Sequence, residues 1–284
     1  VAPTLGKLQL NYASTYGSSY SQSGSYVAGT WTNQVIKATF TNGSDTISGH
    51  ASTKMYINNN GGTYREYASG EIIETEGKHK VKIETIDNAG NKVSSEYEVN
   101  IDKTVPVLGS LKLKYIVNSG SGEIEGSDYT KGTWTNSSVK AIFTNGSDSL
   151  SGHKSTKMYI NNNGGEYKEY ASGEIINTEG KHKVKIETID NAGNKVSSEY
   201  EVNIDKTKPT TSDGDNTSNS NWTNQSVKVG FTAKDSGGSG IKAIVYSYDK
   251  NTEYNYKVVT DNGANEKICQ DEWVMQQSHH IYCK

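Results

Sequence analysis

Aspartates near the ends of a repeated segment are the residues best suited to chemistry. Four lie in turn-like sequences at these ends, Asp87, Asp102, Asp190 and Asp205, and we expect them close to Asp148 in a Gly-Ser-Asp loop of the following copy. Ca²⁺ is bound by roughly six to eight carboxylate, amide and carbonyl oxygens that come from several chain segments. The pattern therefore predicts a calcium site where one repeat ends and the next begins. The competing interpretation is that these side chains only satisfy the backbone of turns.

Histidine and cysteine provide weaker patterns. His50 and His79 recur one repeat later, but two histidines without a third ligand at a readable spacing do not define a zinc site. Cys269 and Cys283 lie 14 positions apart, which fits adjacent antiparallel strands joined by a hairpin. A disulfide between them is one prediction, and two free thiols are the alternative.

Two insertions rich in Tyr, Ser and Gly, Tyr12–Tyr26 and Tyr115–Tyr129, are candidates for binding. Loop tyrosines among small polar residues provide adaptable recognition chemistry, as in antibody loops. We therefore predict ligand-binding loops that carry Tyr16, Tyr20, Tyr26 and Tyr129. The alternative is a flexible Ser/Gly decoration without a ligand. Trp31 and Trp134 each precede a patterned strand at a fixed distance, which favours a structural plug over a sugar-stacking platform.

The sequence contains no catalytic constellation. It has no Ser-His-Asp set, no phosphate-binding glycine loop and no carboxylate pair confined to one copy, so we predict a protein that is not an enzyme. A net charge of −3 argues against nucleic acid or an anionic membrane as the partner. No stretch approaches the roughly 20 apolar residues of a membrane-spanning helix.

The candidate residues belong to a segment that occurs twice. Residues 31–104 and 134–207 differ at 10 of 74 positions, and a diverged third copy begins near Pro209. Apolar residues alternate with polar ones at Ile36–Phe40, Val81–Thr85 and Tyr97–Ile101, which is typical of half-buried antiparallel strands. About seven such strands per hundred residues favour a Greek-key β-sandwich of immunoglobulin type, with a small barrel as the alternative.

The string Thr85–Asn91, followed by Val99–Pro106, resembles the end of bacterial Ig-like repeats. Such repeats occur in tandem in secreted and wall-anchored bacterial proteins, mainly as adhesin stalks and spacers of extracellular hydrolases. The resemblance implies an all-β fold of tandem immunoglobulin-like Greek-key β-sandwiches in an elongated array. It also implies calcium at the junctions and a location outside the bacterial cell, at the cell surface or cell wall.

We predict three modules, at residues 1–104, 105–207 and 208–284. The third is expected to be truncated before its last strand, with its final residues, 280–284, corresponding to His79–Ile83. The predicted function is a non-catalytic stalk or spacer whose partners are the flanking domains of a longer polypeptide. The alternatives are a multivalent adhesin that binds glycan or host protein through its Tyr-rich loops, and the accessory region of a secreted hydrolase.

Overall fold

A computed structural model describes residues 1–16, 19–119, 122–213, 227–247, 256–264, 266–274 and 278–283. Side chains are described for residues 1–14, 21–117, 124–212 and 232–243. The regular elements in these ranges are all β-strands, so the predicted all-β class is confirmed. Within the described residues, no helix has the length and apolar character needed to cross a membrane.

The first repeat contains nine strands in two sheets. They are β1 (Lys7–Tyr16), β2 (Ser19–Ser25), β3 (Trp31–Thr32), β4 (Val35–Thr41), β5 (His50–Asn59), β6 (Arg65–Tyr67), β7 (Glu71–Ile73), β8 (Gly77–Asp87) and β9 (Lys92–Ile101). One sheet has the order β2-β1-β4-β7 and the other β3-β9-β8-β5-β6. Strands β3 and β9 run parallel, with Trp31 opposite Asn100, and the other pairings of this repeat are antiparallel.

The core of this repeat lies between its two sheets. Ile36 and Ala38 of one sheet join Met55, Val81 and other residues of the second sheet in one buried cluster. Along β8, lysines face outward while the alternating valine and isoleucine are fully buried. The alternation in the sequence therefore predicted correctly which side of each strand is buried.

The second repeat forms nine strands in the same order. They are β10 (Leu111–Ser119), β11 (Gly122–Asp128), β12 (Trp134–Thr135), β13 (Val139–Phe143), β14 (His153–Asn162), β15 (Tyr167–Tyr170), β16 (Glu174–Ile176), β17 (Gly180–Asp190) and β18 (Lys195–Ile204). The sheet orders, β11-β10-β13-β16 and β12-β18-β17-β14-β15, match those of the first repeat strand for strand.

The Tyr-rich insertions form hairpins in place of the predicted loops. In the first repeat β1 pairs with β2 from Asn11↔Ser25 to Tyr16↔Ser19, and β10 and β11 form the same hairpin one repeat later. Both segments contain mostly small or polar residues, so they carry little of the apolar alternation that identifies a strand in sequence. The prediction of loops in these insertions was therefore wrong.

The third copy contains β19 (Thr210–Asp213), β20 (Val227–Lys234), β21 (Ile241–Ser247), β22 (Tyr256–Ala264), β23 (Glu266–Val274) and β24 (Ser278–Cys283). Its sheets are β19-β20-β23-β24 and β21-β22. The predicted equivalence of residues 280–284 with His79–Ile83 is wrong for the described part. Strand β24 pairs with β23, which holds the position of β7, whereas β8 pairs with β5. Lys284 lies outside the described residues.

The chain divides into two compact units, and the boundaries after residues 104 and 207 stay a prediction. One unit comprises Val1–Ser110, Phe143–Lys157 and Ile186–Ser198. The other comprises Leu111–Ile142, Met158–Lys185 and Glu199–Lys284. The first unit therefore contains the whole first repeat together with two short segments of the second, which carry Asp148 and Asp190.

Candidate functional site at the repeat junction

The linker that leaves the first repeat is fixed to the body of that repeat. The carboxylate of Glu76 accepts a hydrogen bond from the Lys103 backbone N–H at 2.6 Å and another from the Thr104 hydroxyl at 3.0 Å. The Lys103 ammonium group donates to the Glu74 carbonyl at 2.7 Å. Each bond removes conformational freedom from the segment that would otherwise act as a flexible tether.

The second repeat has the same arrangement. Its Glu179 carboxylate accepts hydrogen bonds from the Lys206 N–H at 2.7 Å and from the Thr207 hydroxyl at 3.1 Å. Glu76 and Glu179 were not among the predicted site residues. They lie at the same place in both copies of a Glu-Gly-Lys-His motif, and this fixed position ahead of a strand was the only signal that could have identified them.

Asp102 connects the first repeat to the second. Its side chain is fully buried. One carboxylate oxygen accepts a hydrogen bond from the Thr104 N–H, and the other accepts one from the buried N–H of Ser151, both at 3.0 Å. The Asn194 side-chain amide donates to the Asp102 backbone carbonyl at 2.9 Å. A single residue at the end of β9 is therefore held by two separate loops of the following repeat.

The first of these loops is shaped by Asp148. One of its carboxylate oxygens accepts hydrogen bonds from the N–H groups of Leu150 and Gly152, at 3.0 and 2.8 Å. This is the usual way in which an aspartate closes a turn on its own backbone. Burial raises the pKa of Asp148, but these backbone hydrogen bonds outweigh it, and the pKa lies below its usual value.

The second loop is the turn between β17 and β18. The buried Asp190 carboxylate accepts hydrogen bonds from the backbone N–H and the side-chain amide of Asn194, both at 2.8 Å. Gly193 has a φ of 95° in this turn, a conformation that residues with a Cβ rarely adopt. The Asp-Asn-Ala-Gly-Asn motif therefore encodes a tight turn that also presents a carboxylate to the junction.

Three of the five predicted ligands meet at this point. Asp102, Asp148 and Asp190 each offer a carboxylate oxygen, and the three oxygens lie within 4.8 Å of one another. The hydrogen-bond donors named above are neutral, so they leave three like charges together in a largely buried place. Like charges at this separation repel strongly, and a divalent cation would remove that repulsion. Hard carboxylate oxygens are the donors that Ca²⁺ takes, so the residues present fit this ion.

The other two predicted ligands, Asp87 and Asp205, lie outside this cluster. Asp87 closes the equivalent turn of the first repeat and accepts hydrogen bonds from the N–H groups of Ala89 and Asn91. Asp205 lies at the end of β18, where its carboxylate accepts the Ser239 N–H at 2.9 Å, as Asp102 accepts that of Ser151. Burial raises the pKa of Asp205, but hydrogen bonds from Ser239 and Thr207 lower it by more than burial raises it. The pKa of Asp205 therefore lies below its usual value.

Of the four predicted binding tyrosines, two are core residues. Tyr26 and Tyr129 are only 6% and 5% exposed. The Tyr26 hydroxyl donates to the Thr30 carbonyl and accepts the Asn100 N–H at 3.0 Å, and Tyr129 does the same one repeat later. Burial raises the pKa of both tyrosines. They anchor β9 and β18 and offer no surface to a ligand. The side chains of Tyr16 and Tyr20 lie outside the described residues.

The histidines are structural as well. His79 is fully buried, with one ring nitrogen 2.9 Å from Asn59 Oδ1 and the other 2.9 Å from the Thr75 carbonyl. Each nitrogen thus has a partner within its own repeat. Cys269 and Cys283 face one another in the backbone register of β23 and β24. Their side chains lie outside the described residues, so the disulfide stays a prediction.

Comparison with known proteins gives no family assignment. No family model matches this chain, and no curated protein matches it. A solved tetra-tandem repeat from the extending region of a large adhesion protein shares 12% identity at a TM-score of 0.29, covering 99% of this chain and 74% of that one. A structure from a 1.5-MDa bacterial ice-binding adhesin shares 12% identity at a TM-score of 0.33, covering 99% of this chain and 96% of that one. TM-scores this low do not establish a common fold, so the function is inferred from the chain's own residues.

Proposed function

We propose that this chain is a non-catalytic structural spacer of a bacterial surface or secreted protein. The observation that carries the proposal is the way in which one repeat is joined to the next. Glu76 fixes the linker to the first repeat, and Asp102 bonds the end of that repeat to Ser151 of the second. Hydrogen bonds from the Asp102–Thr104 segment to both repeats favour a stiff connection, which a spacer needs and an independent enzyme domain does not.

The repetition supports the same role. Glu179 and Asp205 repeat the arrangement at the next junction, so each added copy brings its own connection. Length is then the property that duplication adjusts. The partners are the flanking domains of the same polypeptide. The resemblance of the turn and linker motifs to bacterial Ig-like repeats favours a location outside the cell, at the surface or cell wall.

The spacer role is tested by measuring reach. The chain, tethered to a supported bilayer at its C-terminal end, carries a fluorescent protein at its N-terminal end. Fluorescence interference microscopy then gives the height of the fluorophore above the bilayer. Deleting one whole copy, residues 105–207, should lower that height while circular dichroism still reports β-sheet. An unchanged height would contradict the proposal.

We further propose that Ca²⁺ occupies the junction formed by Asp102, Asp148 and Asp190. An ion that binds only the folded junction raises its stability, by about 2.7 kcal/mol when its concentration is 100 times Kd. The two repeats supply a matched pair of variants. Asp190→Asn removes a proposed ligand, whereas Asp87→Asn makes the same change in the equivalent turn, away from the cluster.

The measurement is thermal unfolding in Ca²⁺ and in chelator. The wild-type chain and the Asp87→Asn variant should melt at higher temperature in Ca²⁺, and the Asp190→Asn variant should lose that increase. A melting temperature of the wild-type chain that is the same in both solutions would exclude the calcium site. The hydrogen-bonded junction does not depend on the ion, so the spacer proposal would survive that result.

A second candidate function is binding to a glycan or a host surface protein. It is favoured by the exposure of β2 from Ser21 to Ser25 at the edge of its sheet. The predicted contacts that remain are Tyr16 and Tyr20. Glycan-array and cell-binding assays should detect binding by the wild-type chain and a loss in the double Tyr→Ala variant. No binding by the wild-type chain would remove this function.

A further inference from the structure

Strand β2 forms one edge of its sheet, because the order β2-β1-β4-β7 places it last, with no described strand on its outer side. The side chains from Ser21 to Ser25 are all exposed, so the described part of the chain leaves this edge uncovered. In an edge strand, alternate backbone N–H and C=O groups point away from the sheet and have no partner strand. Strand β2 therefore offers a row of backbone hydrogen-bonding groups to another chain.

The sequence of β2 lacks the side chains with which proteins usually protect such an edge. Protected edges carry charged residues, above all lysine, or proline. Strand β2 contains neither, since it reads Ser-Tyr-Ser-Gln-Ser-Gly-Ser. Among the edge strands of more than two residues in the described ranges, it alone has no Asp, Glu, Lys, Arg or His. A second uncharged strand can therefore approach it without electrostatic repulsion.

The second repeat provides the contrast, because β11 is the same edge strand one repeat later. Gln22 of β2 corresponds to Glu125 of β11, and Ser25 corresponds to Asp128. The Lys140 ammonium group lies 2.7 Å from the Glu125 carboxylate, and the Asp128 side chain is 81% exposed. A strand that paired with β11 would have to desolvate these charges, and a second β11 would bring like charges next to them. The two hairpins thus share their backbone pairing and differ in the charge of the outer edge.

A bulge limits the length of β2 that can pair with another strand. The register with β1 is regular from Ser19 to Gln22 and shifts before Gly24. A bulge bends the strand and turns the edge beyond it away from a partner. The regular edge is therefore short, and few hydrogen bonds are available to offset the freedom that two chains lose on association. We expect the pairing to be weak.

We propose that β2 is a self-pairing edge, which binds the β2 strand of a second copy of this chain in antiparallel orientation. A second copy fits because the same uncharged strand then meets itself about a two-fold axis, and every contact occurs twice. The two four-stranded sheets join into one continuous sheet. Weak pairing suffices where many chains stand side by side on one surface, because their effective concentration is high. The inference goes beyond the spacer role and does not depend on it, since pairing also occurs between free chains in solution.

Sedimentation equilibrium and ¹H–¹⁵N NMR spectra of the full chain test the proposal, with a reducing agent present so that cysteines do not cross-link chains. We expect the weight-average mass to rise toward that of a dimer as the protein concentration approaches the millimolar range. Amide signals of Ser19–Gln22 should shift along the same series, whereas those of Gly122–Glu125 should stay in place. A mass that remains monomeric throughout would overturn the proposal, as would shifts confined to residues outside β2.

The matched variants place two acids either on this edge or away from it. Gln22→Glu with Ser25→Asp introduces the acids that β11 carries at these positions in the same kind of hairpin, and it should abolish the rise in mass. Gln34→Glu with Thr63→Asp adds the same charge at exposed positions outside β2 and should leave the rise unchanged. Circular dichroism confirms that each variant is folded. Wild-type association of the first variant would overturn the proposal, as would an equal loss of association in both.

Discussion

Replacing Asp102 by alanine should open the first junction, and the structure sets the size of the effect. The substitution leaves the buried N–H of Ser151 without an acceptor, which costs about 1 to 3 kcal/mol, and removes the part-buried hydrogen bond from Thr104, worth about 1 kcal/mol. Together these losses amount to about 3 kcal/mol. Since about 1.4 kcal/mol corresponds to a factor of ten, local opening becomes roughly 100-fold more frequent.

The assay is amide hydrogen exchange at Ser151 in chelator, because local opening controls exchange at this group. We expect the Ser151 amide of the Asp102→Ala variant to exchange roughly 100-fold faster than in the wild-type chain. Asp102→Asn keeps an oxygen acceptor and removes one of three clustered charges, so its exchange should stay within about tenfold of wild type. Asp128→Ala is the control, because that side chain is 81% exposed. Wild-type exchange at Ser151 in the alanine variant would refute the hydrogen-bonded junction.

Three further predictions concern the repeats themselves. Tyr26→Phe should lower the free energy of unfolding by about 1 to 3 kcal/mol, measured by urea denaturation, because a buried backbone N–H loses its acceptor; an unchanged value would contradict the anchoring role. Gly43→Ala should lower the free energy of unfolding by about 3 kcal/mol in the same assay, because a Cβ would lie 2.2 Å from a carbonyl oxygen. Gly90→Ala has open space around the added Cβ, so it should lower that free energy by only about 1 to 2 kcal/mol, because of its φ of 85°. Equal costs would refute the packing argument. Burial lowers the pKa of His79 and His182 in the folded chain, so the unfolded chain takes up protons at a higher pH than the folded chain does. The melting temperature should therefore fall as the pH drops below about 6.5. Replacing both His79 and His182 by glutamine should reduce the dependence of the melting temperature on pH between pH 5 and 6.5. An unchanged dependence would assign it to other groups.

The sequence was most informative where apolar and polar residues alternate. In β4, β8 and β9 the period of two identified the strand and its buried side, because one face of each strand must cover the core. The hairpin of β1 and β2 beyond Ala13 gave no such signal, since Ser and Gly are equally tolerated on both faces. Pairing there is set by the turn and by backbone hydrogen bonds, which composition does not report.

The candidate site was predicted in part for a related reason. Repetition of the Asp-Asn-Ala-Gly-Asn turn and of the Asp-Lys-Thr linker pointed to the junction, and Asp102, Asp148 and Asp190 do meet there. The pattern could not separate them from Asp87 and Asp205, because Asp87 has the same local sequence as Asp190, and Asp205 has the same local sequence as Asp102. Which copies come together depends on the order of repeats along the chain.

We infer that bonds from Glu76 and Asp102 join adjacent repeats stiffly. This stiff connection is tested most directly by ¹⁵N relaxation of the full chain, which gives the rotational motion of each repeat separately. We expect amides of the first and second repeats to report one common tumbling, slower than that of a single repeat, and the two repeats to tumble independently in the Asp102→Ala variant. Independent tumbling of the two repeats in the wild-type chain would contradict it.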